Sequence, residues 1–153
     1  MILEFHAPDH IFAHCRVFGN RVVARDWLSN AYLLDSDARI IAQNEIDSGV
    51  SEGVVASPDG RIFFCSDRSF VICDSNGNYL ERYEFNDYPA RPYFMANDEI
   101  LFGCGNKVLS GTMRSGFRTL YENNGRMFPL PLDSGNILVQ IQTDNSPKKN
   151  SLY

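Results

Sequence analysis

Turn residues recur at a nearly constant interval along this chain, with four short apolar runs between them in each full period. The clearest unit, Ser51 to Phe85, reads GVVAS, the turn Pro58-Asp59-Gly60, RIFFCS, a turn at Asp67-Arg68, SFVICD, the turn Ser75-Asn76-Gly77-Asn78, then YLERYEF. Gly and Asn accept positive φ, Pro presets a turn, and Asp and Ser bond back to nearby backbone, so each of these residues ends a strand for a physical reason. The same order runs from Ile11, with turns at Gly19-Asn20, Ser29-Asn30 and Ser36-Asp37-Ala38, and from Arg91, with turns at Asn97-Asp98, Gly105-Asn106 and Arg114-Ser115-Gly116. From Arg126 there are two strands about the turn Asp133-Ser134-Gly135-Asn136, and then a polar tail. The apolar residues after each first turn, Val22, Ile62, Ile100 and Ile137, lie 40, 38 and 37 residues apart, and the last turns, at Asp37, Asn76 and Ser115, lie 39 and 39 apart.

A period of about 38 residues holding four strands predicts an all-β fold of β-propeller type, each repeat being one four-stranded antiparallel sheet. The strand faces agree. Ile62 and Phe64 point opposite to Phe63 and Cys65, and Phe70-Val71-Ile72-Cys73 is apolar on both sides, as a sheet covered on both faces requires. In Tyr79 to Phe85 charge returns at Glu81, Arg82 and Glu84, which suits an outer edge strand protected against edge-to-edge pairing.

Ala56-Ser57-Pro58-Asp59-Gly60-Arg61-Ile62-Phe63-Phe64, with Val71-Ile72-Cys73-Asp74 ahead of Ser75-Asn76-Gly77-Asn78, resembles the blades of YVTN and NHL β-propellers. The flanking units match in spacing and turn type. Length and turn spacing together predict a single domain over residues 1–153, with repeats at 11–46, 51–85, 91–122 and 126–153 plus 2–7. Ile2 to Asp9 reads much like Tyr79 to Pro89, an outer strand leading into the next unit, so Ile2 to Ala7 is expected to supply the outer strand of the last blade and close the ring. An open array, or two chains joined in a larger ring, stays open, as does the choice between monomer and homodimer. Propeller folds host binding proteins and enzymes alike.

Composition excludes several classes. No apolar run approaches the roughly 18 residues of a membrane span, and the start, MILEFHAPDH, lacks the basic region of a secretory signal, so a cytoplasmic protein with no membrane partner is expected. The formal net charge is −5, with 7 basic and 13 acidic side chains in residues 1–86 and 7 and 6 thereafter. Nucleic acid needs a basic surface and is not an expected partner, whereas a basic protein would be steered to the acidic half. Cys15, Cys65, Cys73 and Cys104 lack zinc-site spacing and read as free buried thiols. His6, His10 and His14 would share a face only on a helix that Pro8 and the β-rich flanks oppose, so no metal or other cofactor is expected.

In a propeller the unit-joining loops and the loops between second and third strands share one face. Asp26, Trp27, Glu52, Asp67, Arg68, Tyr88, Arg91 and Lys107 are the candidate partner-binding residues on it, since Trp, Tyr and Arg dominate protein interfaces. Trp27 is alternatively a cap on the apolar layer between blades. No residue is nominated as catalytic. A lactonase-like hydrolase would need acidic or amide ligands on inner strands, and Val54-Val55-Ala56, Tyr93-Phe94-Met95 and Phe128-Pro129-Leu130 offer none. Ser110-Gly111 lacks the preceding glycine of a nucleophile elbow. The sequence therefore favours a non-catalytic protein-binding module, such as an inhibitor or immunity protein. A propeller-fold hydrolase and a structural subunit are the alternatives.

Overall fold

The computed structural model describes residues 12–26, 30–45 and 53–143. Four antiparallel sheets follow one another along the chain. The first holds β1 (Phe12–Phe18), β2 (Arg21–Asp26), β3 (Asn30–Leu34) and β4 (Ile40–Glu45) in chain order, and the second holds β5 (Gly53–Ala56), β6 (Ile62–Cys65), β7 (Ser69–Cys73) and β8 (Tyr79–Glu84) likewise. The third is β9 (Tyr93–Phe94), β10 (Ile100–Cys104), β11 (Lys107–Thr112) and β12 (Gly116–Glu122), and the fourth pairs β13 (Arg126–Pro131) with β14 (Ile137–Gln142). A 3-10 turn at Ala96–Asp98 is the one helical element among the described residues. The all-β expectation and the repeated sheets are thus observed, and among the described residues no sheet closes on itself.

The repeat is visible in the hydrogen bonding of its turns. Between first and second strands, Ser57, Met95 and Leu132 each donate a backbone N–H to the carbonyl four residues on, at 2.8, 2.7 and 2.8 Å. Between third and fourth strands the Asp35 carboxylate accepts the N–H groups of Asp37 and Arg39, both at 2.9 Å. Asp74 does the same for Asn76 and Asn78, at 2.8 and 2.9 Å. Such bonds favour ionised carboxylates, so both acids are held below the usual carboxylate range, chiefly by the Arg39 N–H for Asp35 and the Asn78 side chain for Asp74.

Alternation along β6 and β7 distributes the core. Ile62, Phe64, Val71 and Cys73 pack with Val23, Ala31 and Leu33 of the first sheet, while Phe63, Cys65, Phe70 and Ile72 pack with Ile100, Phe102 and Cys104 of the third. The second sheet is therefore buried on both faces. Ring pairs Phe70–Phe102 and Phe102–Phe117 meet edge to face at 4.9 Å, and Phe63–Phe94 at 5.0 Å. Each such pair contributes about 0.5–1.5 kcal/mol beyond area burial. Leu101 and Val108 face the other way and join Met127 of the fourth sheet. Ala24, Tyr32 and Leu34 form a further buried cluster with Val22.

Third and fourth sheets meet backbone to backbone. A Cβ on Gly103 would lie 1.8 Å from the Met127 carbonyl oxygen, so only glycine lets β10 approach β13 this closely. The Met127 N–H donates to the Gly105 carbonyl at 2.9 Å across the same contact. The fourth sheet has two strands among the described residues, and Leu130, Leu132, Ile137, Leu138 and Ile141 are exposed on it. The outer strand β8 also departs from a purely charged edge: Tyr79 and Leu80 are exposed, while Tyr83 turns inward onto Phe85 and Phe117. Ile2 to Ala7, expected to close the ring, and the tail after residue 143 lie outside the described residues.

Candidate functional site

The loops nominated for binding are stitched together by backbone hydrogen bonds. The β6–β7 loop is closed by Ser66 donating to the Ser69 carbonyl at 2.8 Å, and Phe85, just after β8, donates to the Arg68 carbonyl at 2.7 Å. Tyr88 is capped by its neighbour, its N–H reaching Asp87 Oδ1 at 2.8 Å, and its carbonyl accepts the Gly105 N–H at 3.2 Å. Ala90 donates to Gly103 at 2.7 Å, and Pro89 pairs with Cys104. Asn123 then donates to the Asn106 carbonyl at 3.1 Å. One continuous hydrogen-bonded surface thus runs from the second sheet to the fourth.

On that surface the Arg68 guanidinium carbon lies 5.8 Å from the centre of the Tyr88 ring. Both side chains are exposed, as is Arg91, while Asp67 and Lys107 are half-buried. Arg68 and Tyr88, two of the eight nominated residues, thus lie side by side. Asp26 is the last residue of β2, and Trp27 and Glu52 lie outside the described residues. Among the described residues no three His, Cys, Asp or Glu side chains converge as a metal site would need.

Beside the loops, a cleft of about 370 Å³ opens between β8 and the third sheet. Tyr83, Phe85, Leu109 and Phe117 form its apolar lining, with Asp87, Asn106, Lys107 and Thr119 contributing polar groups. Register explains why Lys107 is there. It pairs with Cys104 as Leu109 pairs with Phe102, and Phe102 and Cys104 both face the second sheet, so Lys107 and Leu109 do as well. Asp87 is positioned by Gly105, whose φ is 55° and whose added Cβ would lie 2.0 Å from Asp87 Oδ2. Burial, with the Asp87 carboxylate adding to it, pushes the Cys104 thiol up to about 11. It stays protonated at neutral pH, and its Sγ donates to the Asp87 carbonyl at 3.4 Å.

The cleft itself was not anticipated from sequence, because it joins β8 to β12 across more than thirty residues. The available signal was the alternation that puts Tyr83 and Phe85 on one face of a strand otherwise rich in charge. At the other end of the third sheet, buried Ser110 donates to Glu99 Oε1 at 2.6 Å, with Arg118 3.8 Å from the same oxygen. The Ser110 hydroxyl is thereby tied to an acid that also faces an exposed arginine. Cys65, Cys73 and Cys104 are buried and in no disulfide, as expected, and the Cys15 side chain lies outside what is described.

No protein-family model and no curated protein matches the chain. Solved structures do resemble it. The computationally designed Ika4 protein superposes with a TM-score of 0.59 at 11% identity, over 92% of this chain and 95% of that one. A protein of unknown function from Bacteroides caccae gives 0.58 at 15%, and the computationally designed Ika8 protein 0.57 at 11%, over 88% and 91% of this chain. The chain spans 58% and 48% of those two proteins. At such identities the likeness shows the fold alone, a multi-sheet all-β architecture.

Proposed function

We propose that the four sheets are consecutive blades of a small β-propeller, closed by Ile2 to Ala7, whose loop face binds a protein partner without catalysis. The observation that carries this reading is the Arg68–Tyr88 pair on a hydrogen-bonded loop surface. Exposed Tyr and Arg on a backbone that is already ordered lose little conformational entropy on binding, which is how few residues come to dominate an interface. The buried Ala24, Tyr32 and Leu34, on the face of the first sheet turned away from the second, support closure. An inhibitor or immunity role fits a chain of this size and net charge of −5.

The test is capture from the native host, followed by affinity measurement with the purified captured protein. Arg68→Ala with Tyr88→Ala should weaken binding at least about tenfold, as expected for hot-spot residues, and leave the circular dichroism spectrum unchanged. A folded double variant that binds as well as the parent rejects the reading. A second reading, a subunit of a larger assembly, is favoured by exposed Leu130, Leu132 and Leu138 on the fourth sheet and by the half-length match to Ika8. A solution mass of twice 17.3 kDa would favour it.

A further inference from the structure

We infer that the cleft between β8 and the third sheet binds a small zwitterion with an apolar side chain, of the class of aromatic or branched α-amino acids. At about 370 Å³ it lies at the small end of ligand pockets, roughly 300–1,000 Å³, and so suits one compact molecule. Its lining presents aromatic edges and faces, with Tyr83–Phe117 at 5.1 Å and Phe85–Phe117 at 5.9 Å between ring centres. Such a surface favours another ring or a branched aliphatic group.

The polar groups decide the class. Asp87 comes from the joining loop, fixed by its bond to the Tyr88 N–H and by its approach to Gly105. Lys107 opens β11 and lines the same cleft, as does Glu84 at the end of β8. Both act electrostatically on the Cys104 thiol in the same cleft, with opposite sign, yet among the described residues no ion pair joins them. An ammonium has donors for the Asp87 carboxylate, and a carboxylate has acceptors for the three donors of Lys107, so a molecule carrying both side by side satisfies both groups around Cys104 at once. A singly charged ligand leaves one of the two without a partner.

The test is an amide-resolved NMR titration with three probes: L-phenylalanine, 3-phenylpropionate, which lacks the ammonium, and 2-phenylethylamine, which lacks the carboxylate. L-phenylalanine should give saturable shifts at residues 83–87 and 104–109, and each truncated probe should bind at least about tenfold more weakly, the scale of a lost charged hydrogen bond. Lys107→Met should weaken L-phenylalanine similarly and leave 2-phenylethylamine unaffected, and Asp87→Asn, which keeps the cap on Tyr88, should mirror this with 3-phenylpropionate. A dispersed spectrum reports that each variant is folded. Equal binding of all three probes, shifts confined to other residues, or no saturable shift overturns the inference. The protein-partner reading is tested separately through Arg68 and Tyr88, so a chain that captures its partner but ignores all three probes loses this inference alone.

Discussion

Gly103 is where one added methyl group should do the most damage. In Gly103→Ala the new Cβ would sit 1.8 Å from the Met127 carbonyl oxygen, 2.8 Å from its carbon and 3.2 Å from Pro129 Cδ. The first two atoms are backbone of a paired strand, so no rotamer change relieves the clash. β10 and β13 must part by more than an ångström, which breaks the Met127-to-Gly105 hydrogen bond and opens the Leu101, Val108 and Met127 cluster. Overpacking costs about 1–3 kcal/mol and a lost hydrogen bond about 0.5–1.5 kcal/mol, so the total is about 3 kcal/mol of a typical 5–15. For a chain of this length that lowers the melting temperature by about 10 °C. Thermal unfolding followed by circular dichroism reads the shift. Gly135→Ala is the control: its Cβ meets nothing within 4 Å, and only its φ of 81° opposes the change, at about 1–2 kcal/mol. If Gly103→Ala melts no lower than Gly135→Ala, the backbone contact between third and fourth sheets is not what holds them together.

The turn acids make stability depend on pH in a defined direction. For Asp59 burial pushes upward, but hydrogen bonds from Ser57 and Arg61 and the Arg61 charge outweigh it, so Asp59, like Asp35 and Asp74, lies below the ordinary 3.8 when folded. A depressed folded value means stabilisation that is complete above 3.8 and lost as pH falls through the folded values. Melting temperature should therefore drop only in acid, and Asp74→Asn should shallow that drop; a decline beginning at neutral pH would contradict the assignment. Burial raises the Cys73 and Cys104 thiols to about 11, so thiol labelling with site mapping at mildly alkaline pH should find both unreactive until the chain unfolds. Rapid labelling of either in the native protein would refute their burial. Removing residues 1–7 should lower the melting temperature by many degrees if they complete the last sheet, and an unchanged melt would sink ring closure.

What was legible in the sequence was what local chemistry determines. Asp35 and Asp74 announce the same turn because the carboxylate of each accepts N–H groups from residues two and four positions on. The two faces of Ile62-Phe63-Phe64-Cys65 follow from the period of a strand. By contrast, Gly103 in β10 and Gly105 just after it look like weak points until Met127 and Asp87 are set against them. The approach of Phe85 to Phe117 likewise depends on how two sheets meet, which no window of sequence contains.

The places where the repeat is broken carry their own information. Aligned on Ile62 and Ile100, Gly103 stands where the second unit has Cys65, and Gly105 where it has Asp67. The third unit also begins irregularly, with Pro89 and Pro92 leaving β9 only two residues long. A repeat needs regular strands to bury its faces, so substitutions that shorten a strand or remove a side chain weaken the scaffold unless something else requires them. Here each departure has a visible consequence: Gly103 admits β13, Gly105 admits the Asp87 carboxylate, and ahead of the shortened β9 residues 88–90 bond alongside β10 at Gly103 to Gly105. These departures converge on the loops that carry Arg68 and Tyr88 and on the cleft that carries Asp87 and Lys107. The inner strands of the second unit are committed to packing on both faces, so its loops, where they meet the irregular third unit, are the part left available for binding.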